Sequence, residues 1–282
     1  MNENIAKNKK LPYNNIMEVD GMIDMHNHVL YGVDDGAECL EDSLAMLAEA
    51  ARVGYTGVVL TPHYMVYQDY TATVRENQVR LAHLERALDE AGIPITLYLG
   101  SELFYDYELV GRIGTGAFKT LGDSPYYLVE TGRQGGTALG IQNFMGKLKA
   151  SGRKTILAHP ERYDFVQEDP NVLLEFMAAG TLIQSNYLSL IGYYGGATQR
   201  TLEVMLRHDM VQLLGSDAHQ AEGYTLYPEA ADAGMTLVGK EKWQDLVCIN
   251  PEKVILGRGT VTTSPCFYKA PATKSVVGRF TL

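Results

Sequence analysis

The chain has little cysteine and no excess of positive charge, and both shortages restrict what it can do. Its 282 residues include three cysteines without paired spacing, which indicates a reducing compartment such as the cytoplasm rather than a disulfide-stapled protein. None of the three is followed by arginine in a Cys-x5-Arg phosphate loop, so cysteine nucleophile chemistry is disfavoured. With 24 basic and 34 acidic residues the net charge is −10, which argues against a nucleic-acid binder.

Long apolar runs are also missing. The sequence contains neither a secretory leader nor a stretch of membrane length, so we expect no membrane insertion and a cytoplasmic location. Residues 1–20 are polar and are interpreted as an N-terminal extension. Residues 260–282, which include Pro265 and Pro271, are interpreted as a C-terminal tail or a partner-binding segment. Residues 21–259 are expected to form one folded domain, and this length suits a single α/β barrel.

Short apolar runs alternate along the chain with amphipathic stretches that end in glycine, a rhythm typical of parallel βα units. Seven candidate strands follow from this rhythm: 22–23, 57–60, 95–99, 126–129, 155–158, 181–183 and 211–214. Parallel strands covered by helices favour a closed (β/α) barrel, with an open doubly wound sheet as the alternative.

Metal-ligating side chains follow six of these seven runs. They are His26, His28, Asp35, His63, Glu102, Glu130, His159, Asp217 and His219. In a barrel of parallel strands the carboxyl ends meet at one rim, which is where such folds place their active sites. A single histidine or carboxylate at a strand end is more often a capping or hydrogen-bonded residue. Nine of them at six strand ends make a shared site the better interpretation.

Metal binding explains why these residue types occur together. Side chains alternate along a strand, so His26 and His28 leave it on the same face and can converge on one ion. Carboxylates compensate the charge of a cation and can bridge two of them. A mixed nitrogen and oxygen set without thiolate suits Mn²⁺, Fe²⁺ or Zn²⁺ better than Ca²⁺ or a structural zinc site.

Several motifs resemble those of the polymerase-and-histidinol-phosphatase (PHP) superfamily. They are Asp24-Met-His-Asn-His28, Asp34-Asp-Gly36, Thr61-Pro-His-Tyr64, Ala158-His-Pro-Glu-Arg-Tyr163 and Ser216-Asp-Ala-His219. Within that superfamily the chain is similar, over about residues 22–257, to the manganese-dependent protein-tyrosine phosphatases of bacterial capsule and exopolysaccharide operons. The resemblance implies a distorted (β/α)7 barrel and three divalent metal ions. Mn²⁺ is the expected metal, with Fe²⁺ or Zn²⁺ as alternatives.

Carrying the ligands over by motif divides the nine residues among three ions. The first ion takes His26, His28 and Asp217, the second takes Glu130 and His159 with Glu102 bridging from the first, and the third takes Asp35, His63 and His219. Asp24 is then expected to orient a ligand imidazole. Asp34 is interpreted as a turn residue before Gly36.

The resemblance further implies phosphomonoester hydrolysis, with Arg162, Asp35 and His63 as the catalytic residues. We expect Arg162 to bind a phosphoryl oxygen, because a guanidinium fork matches phosphate geometry, with a salt bridge to Glu161 or Asp164 as the alternative. A second arginine expected after His219 is missing, since residues 220–224 contain none. Arg133 is the candidate substitute for binding substrate.

The expected substrate is a phosphotyrosine protein, namely the tail of a bacterial tyrosine kinase that regulates polysaccharide synthesis. Two alternatives stay open: a small-molecule phosphatase similar to histidinol phosphatase, and a non-catalytic metal-binding scaffold. Tyr31, Tyr64, Tyr67 and Tyr193 fall in expected rim loops and could flank an aromatic substrate, although in a chain with 18 tyrosines loop packing is the better explanation. The sequence does not fix the native metal or whether the protein forms a homo-oligomer.

Overall fold

The computed structural model describes residues 21–134, 137–262 and 264–270, and within them the chain forms nine short strands that pair in parallel. In chain order they are Met22–Asp24 (β1), Tyr55–Leu60 (β2), His63–Tyr64 (β3), Thr96–Leu99 (β4), Glu102–Phe104 (β5), Tyr126–Glu130 (β6), Lys154–Ala158 (β7), Leu182–Asn186 (β8) and Leu213–Gly215 (β9). Every one of the seven predicted strands overlaps one of these. The two additional strands, β3 and β5, are very short.

The nine segments form the seven strands of one barrel, because β2 with β3 and β4 with β5 each make up a single interrupted strand. They form two sheets, β1-β2-β4 and β3-β5-β6-β7-β8-β9, and the chain passes from β2 to β3 and from β4 to β5 across only two residues each time. A parallel bridge between Asn27, which follows β1, and Ala218, which follows β9, joins the last strand of the barrel to the first. Two backbone hydrogen bonds, from Asp217 to His26 and from His28 to Ala218, fix that seam. The predicted distorted seven-stranded barrel is therefore confirmed.

Helices surround the barrel. The α-helices are Leu40–Val53 (α1), Val74–Ala91 (α2), Ala138–Ala150 (α3), Asp164–Glu168 (α4), Leu173–Ala178 (α5), Gly196–Arg207 (α6), Glu222–Thr225 (α7), Tyr227–Val238 (α8), Lys240–Gln244 (α9) and Asn250–Ile255 (α10). Short 3₁₀ helices span Val66–Gln68, Tyr107–Arg112, Pro160–Arg162, Pro170–Val172 and Tyr187–Ile191, and a π-helical turn spans Asp245–Ile249.

Helix α1 shows how the local sequence sets these elements. The Asp42 carboxylate accepts a hydrogen bond from the backbone N–H of Cys39, which satisfies a donor that the helix start leaves without a partner. The helix buries Met46, Leu47 and Ala50 at the three- and four-residue spacing of one helical face. It ends at Gly54, whose φ of 110° is a left-handed conformation that glycine adopts without steric cost.

Two apolar clusters hold the fold together. Strand side chains such as Val59, Leu128 and Ile156 form an inner cluster, while their chain neighbours pack outward with the helices in a larger one. The inner cluster includes Val254, Ile255 and Val261, from α10 and the segment after it. One end of the barrel is thus filled by apolar side chains, and the opposite end, where the strands terminate, is left for polar groups.

The expected terminal segments are described only in part. Residues 1–20 and 271–282 lie outside the described residues, so the division into extension, barrel and tail stays a prediction. Residues 264–270 contact the barrel: the Asn171 amide exchanges two hydrogen bonds with the backbone of Tyr268, at 3.0 and 2.7 Å. Among the helices of the described chain, none combines the length and apolar character needed to cross a bilayer.

Candidate metal centre

All nine predicted ligands lie at the carboxyl ends of the strands. His26 and His28 follow β1, His63 opens β3, Glu102 opens β5, Glu130 closes β6, His159 follows β7, Asp217 and His219 follow β9, and Asp35 lies in the loop before α1. Their side chains form four overlapping groups whose nitrogen and oxygen atoms lie within 4.8 Å of one another. The barrel therefore brings together residues that are up to two hundred positions apart in the chain.

His26, His28, Glu102 and Asp217 are the most deeply placed of the candidate ligands, and they contact one another. The Nε2 atom of His26 lies 2.9 Å from Glu102 Oε2 and 3.5 Å from Asp217 Oδ1. The Nε2 atom of His28 lies 3.4 and 3.3 Å from the same two oxygens. Both imidazoles are fully buried, so their nitrogens meet the carboxylates away from bulk water.

Glu102 is the centre of the cluster. Besides His26 and His28, its Oε2 lies 3.1 Å from His63 Nδ1, and its Oε1 lies 3.1 Å from His159 Nε2. One buried carboxylate thus faces four imidazoles with its two oxygens. That arrangement suits a carboxylate that bridges two cations.

A more open group lies toward the pocket mouth and contains Asp35, His63 and His219, together with His28. Asp35 Oδ1 is 3.6 Å from His63 Nε2 and 3.5 Å from His219 Nε2. The Asp35 side chain is 51% exposed, whereas Glu102 and His28 are fully buried. Ligands of an ion held here would therefore be the ones that incoming substrate meets first.

His63 links the deep and the open groups. Its Nδ1 lies 3.0 Å from Glu130 Oε1, while its Nε2 faces Asp35. His159, assigned with Glu130 by motif, lies farther from it, at 3.6 Å between Nε2 and Oε2. The assignment of individual residues to three ions stays a prediction, because the four groups share His26, His28, His63 and Glu102.

Unsatisfied buried atoms provide a test of whether the residues fit metal ions. His26 Nε2, His28 Nε2, His63 Nδ1, Glu102 Oε2 and Glu130 Oε1 are buried without a hydrogen bond of regular geometry, although nitrogens and oxygens among them lie 2.9 to 3.4 Å apart. Buried polar atoms are normally paired, since desolvation without compensation is costly. These nitrogen and carboxylate oxygen atoms converge on one another, and such a set fits divalent cations, to which the atoms would donate their lone pairs.

The charges of the cluster are mutually dependent. Burial would raise the pKa of the Glu102 carboxyl, but the nearby imidazoles of His26 and His63 outweigh burial and hold that pKa well below its usual range. Burial opposes protonation of His63 and His159, yet their carboxylate neighbours raise the pKa to about 9 and about 10 respectively. Without metal, protons on the imidazoles supply the positive charge that the carboxylates require.

Four supporting residues contact the candidate ligands, and the sequence assigned no role to two of them. Gln184 Oε1 lies 2.9 Å from His26 Nδ1, and Asn186 Nδ2 donates to Asp217 Oδ2 at 2.7 Å. Both lie on β8, which was predicted to end at residue 183 because its apolar run stops there. Gln184 and Asn186 follow an apolar run, and this is the same signal that identified the candidate ligands after the other strands.

The other two supporting residues differ from their expected roles. Asp34 is not only a turn residue, since its Oδ2 lies 2.8 Å from His28 Nδ1 and accepts from the backbone N–H of His63 at 3.0 Å. Asp24 was expected to orient an imidazole, but its carboxylate accepts from backbone, side-chain amide and hydroxyl groups instead. Its donors are the N–H of His26 and of Ser216, the Nδ2 of Asn27, and the hydroxyls of Ser216 and Tyr224.

Arg162 and Arg133 border the same pocket, which has a volume of about 570 Å³. Arg162 Nη1 donates to Asp217 Oδ2 at 2.6 Å, and its guanidinium lies 4.6 Å from the ring centre of Tyr194. Its Nε is buried and has no acceptor. The salt bridge weighed for Arg162 is thus made with Asp217 rather than with Glu161 or Asp164. Gln220 and Glu222 line the wall where a second arginine was expected.

Fold and site together define a (β/α) barrel with a candidate metal centre at the carboxyl ends of its strands. The sequence profile described as capsular polysaccharide synthesis, CpsB/CapC, matches residues 22–256, so the chain belongs to this family. The tyrosine-protein phosphatase CpsB of Streptococcus pneumoniae is 26% identical over 243 residues, which cover 83% of this chain and 98% of that protein. The tyrosine-protein phosphatase YwqE of Bacillus subtilis is 28% identical over 212 residues, covering 74% of this chain and 82% of YwqE.

Solved structures agree on the fold. A crystal structure from work on YwqE and CpsB, described as unique metal-dependent tyrosine phosphatases, matches with a TM-score of 0.81 and 24% identity, covering 88% of this chain and 100% of that one. The lactonase Lmo2620 from Listeria monocytogenes matches with a TM-score of 0.51 and 13% identity, covering 86% and 95%. The family and the barrel fold expected from the motifs are therefore confirmed.

Proposed function

We propose that the chain is a metal-dependent protein-tyrosine phosphatase. The observation that carries this proposal is the convergence of buried, unpartnered imidazole and carboxylate atoms around Glu102, beside an arginine in an open pocket. Relatives named tyrosine-protein phosphatases match most of the chain, and this supports the choice of reaction. The family description supports a place in capsular polysaccharide synthesis. We propose the phosphotyrosine tail of a bacterial tyrosine kinase as the protein substrate and the cytoplasm as the place of reaction.

The nine residues of the cluster would hold divalent ions, and we propose three Mn²⁺ divided as the motifs indicate. Such ions, when bound, supply Lewis acidity that neutralises phosphate charge and lowers the pKa of water to near neutrality. Glu102 would bridge the two deeper ions, while Asp35, His63 and His219 would hold the one nearest the mouth. Buried carboxylates with low pKa values remain anionic and are ready to bind cations across the neutral range.

Arg162 would bind and orient the phosphoryl group. Its Nε–H is buried without an acceptor, so a phosphoryl oxygen would satisfy a donor that the folded chain leaves unpaired. The contacts of its guanidinium with Asp217 and Tyr194 hold the side chain in place before substrate arrives. Arg133, which borders the pocket, would add a second positive charge in place of the arginine missing after His219.

Phosphate release tests the proposal directly. Purified protein freed of metal with a chelator and reloaded with Mn²⁺ should hydrolyse a phosphotyrosine peptide faster than histidinol phosphate. Glu102→Ala and His63→Ala should abolish turnover and reduce the Mn²⁺ that is retained, whereas His83→Ala, an exposed histidine outside the cluster, serves as the matched control. Faster turnover of the small alcohol ester would overturn the choice of substrate, and metal-independent turnover would overturn the mechanism.

A further inference from the structure

Two pairs of aromatic side chains line the pocket above the candidate metal centre. Tyr67 packs against Phe104 with ring centres 5.1 Å apart, and Tyr193 packs against Tyr194 with ring centres also 5.1 Å apart. Both pairs meet edge to face, at interplanar angles of 70° and 80°. All four side chains border the pocket that contains Asp35, His63 and Arg162.

Packing does not explain the exposure of Tyr67 and Tyr193. Their side chains are 59% and 53% exposed, among the most exposed large apolar residues of the described chain. The other two tyrosines predicted at the rim are engaged elsewhere. The hydroxyl of Tyr31 lies 2.9 Å from His83 Nδ1, and Tyr64 is buried with its hydroxyl accepting from Arg112 Nη1.

Both pairs are connected to the pocket floor through short, ordered links. Phe104 closes β5, two residues after Glu102, and Tyr67 lies in the 3₁₀ helix Val66–Gln68, four residues after His63. On the other side, the ring of Tyr194 lies 4.6 Å from the guanidinium of Arg162. The aromatic faces therefore stand next to the groups that would hold a phosphoryl group.

We propose that Tyr67 and Tyr193 contact the phenyl ring of the phosphotyrosyl group and select aryl over alkyl phosphate esters. This inference rests on the proposed function, because it takes the phosphoryl group to be anchored at the cluster and Arg162. With its phosphoryl group held at the floor of the pocket, such a substrate extends its phenyl ring toward the mouth, where the exposed rings of Tyr67 and Tyr193 lie. Phe104 and Tyr194 act as positioning residues that hold the two contacting rings.

Ring contacts of this kind should affect binding rather than chemistry. The phenyl ring touches Tyr67 and Tyr193 equally in the ground state and in the transition state, so removing a contact raises KM and leaves kcat nearly unchanged. Aromatic contacts of this size correspond to a change of roughly 3- to 10-fold in affinity. Hydroxyl removal alone, in Tyr67→Phe and Tyr193→Phe, should change KM less than about twofold because the ring remains.

Two phosphonates isolate the ring contact from hydrolysis. With the Mn²⁺-loaded full chain and a phosphotyrosine peptide as substrate, phenylphosphonate and methylphosphonate are compared as competitive inhibitors. In Tyr67→Ala and Tyr193→Ala the inhibition constant of phenylphosphonate should rise roughly 3- to 10-fold, while that of methylphosphonate stays within about twofold. Phe267→Ala removes an aromatic side chain that is 70% exposed outside the pocket and is the matched control.

The outcomes separate this inference from the proposed function. Loss of discrimination between the two phosphonates in both alanine variants, with the phenylalanine variants unchanged, supports the inference. Equal weakening of both phosphonates, or no change in either, overturns it while phosphotyrosine hydrolysis stands. If the unchanged protein loaded with Mn²⁺ does not hydrolyse the peptide, the proposed function fails instead, and the inference fails with it.

Discussion

Asp34 holds the imidazole of His28 through a 2.8 Å contact between Oδ2 and Nδ1. The same oxygen accepts from the backbone N–H of His63, and the other accepts from Gly36 at 3.1 Å. A single carboxylate thereby fixes the ring of one candidate ligand and the backbone of another. Gly36 is required in this turn, since a Cβ there would lie 2.1 Å from the carbonyl oxygen of His28.

The contact predicts that Asp34 governs metal affinity without being a ligand. Asp34→Ala should weaken Mn²⁺ binding by about 10- to 100-fold, because the His28 ring loses the group that orients it and increases its basicity. The Mn²⁺ affinity of Asp34→Asn should lie between that of Asp34→Ala and that of the unchanged protein, since the amide oxygen can still accept from Nδ1–H of His28. Titration of metal-free protein with Mn²⁺ measures the effect, and Asp123→Ala, at a fully exposed carboxylate, is the control. Unchanged affinity in Asp34→Ala would leave Asp34 only its role in the turn.

Arg162 is expected to act on substrate and not on metal. Arg162→Ala should raise KM for a phosphotyrosine peptide by about 10- to 100-fold, the value of a lost hydrogen bond to a charged group. Metal content should stay intact, because Asp217 keeps its contacts to His26, His28 and Asn186. Steady-state kinetics together with metal analysis of the same preparation test both parts, with Arg52→Ala at an exposed ion pair as control. Loss of bound metal would assign Arg162 a structural role through Asp217.

The convergence of the nine candidate ligands at one rim could be predicted because one simple rule governs where they lie. Parallel strands bring their carboxyl ends together, so residues after each apolar run meet whatever their distance in sequence. The rule failed on β8 because the boundary was placed where the apolar residues stop, whereas the strand continues through Gln184 and Asn186. Strand pairing determines that boundary, and pairing depends on the neighbouring strands β7 and β9 rather than on local composition.

The orientation of the supporting carboxylates and the exposure of the rim tyrosines could not be predicted from the sequence, for a different reason. Asp24 and Asp34 belong to two separate motifs that both lie near His28 in sequence, and which of them faces an imidazole depends on angstrom-scale geometry. Likewise, the sequence narrows eighteen tyrosines to four expected at the rim but does not indicate which two of the four stand exposed in the pocket. Tyr64 and Tyr67 are three residues apart, yet one is buried against Phe118 and the other is open to solvent.

Glu161 is expected to stabilise the rim by accepting two buried hydrogen bonds. It is fully buried, burial raises the pKa of its carboxyl, and its Oε1 accepts from the Asn186 N–H at 2.8 Å and the Ser189 hydroxyl at 2.9 Å. Glu161→Ala leaves both donors unsatisfied and should lower the free energy of unfolding by roughly 2 to 4 kcal/mol. Glu161→Gln keeps an accepting oxygen and should cost less than about 1 kcal/mol. Urea unfolding measures this, with exposed Glu168→Ala as control; equal losses in both Glu161 variants would show that its negative charge is needed.

Removal of metal should make stability depend on pH in a defined direction. In the metal-free protein the pKa of His63 is about 9 and that of His159 about 10, against about 6.5 in the unfolded chain. The folded state therefore holds more protons than the unfolded state between those values. Their stabilising contribution is complete below about pH 6.5 and is lost as pH rises through 9 to 10. Acid removes a separate contribution, since the pKa of Asp35 is lowered to about 2 by its hydrogen bond with His219.

Thermal unfolding with and without Mn²⁺ tests this prediction. Chelator-treated protein should lose stability steadily from about pH 6.5 to about pH 10, because folding then requires His63 and His159 to hold protons that the unfolded chain no longer carries. Mn²⁺ supplies that charge and competes better as protons leave, so the loaded protein should gain stability relative to the metal-free form over the same range. His63→Asn removes one of the imidazoles whose pKa is raised and should flatten the metal-free profile. A metal-free midpoint that rises with pH would show that the imidazoles are neutral in the folded cluster and that its carboxylates are balanced in another way.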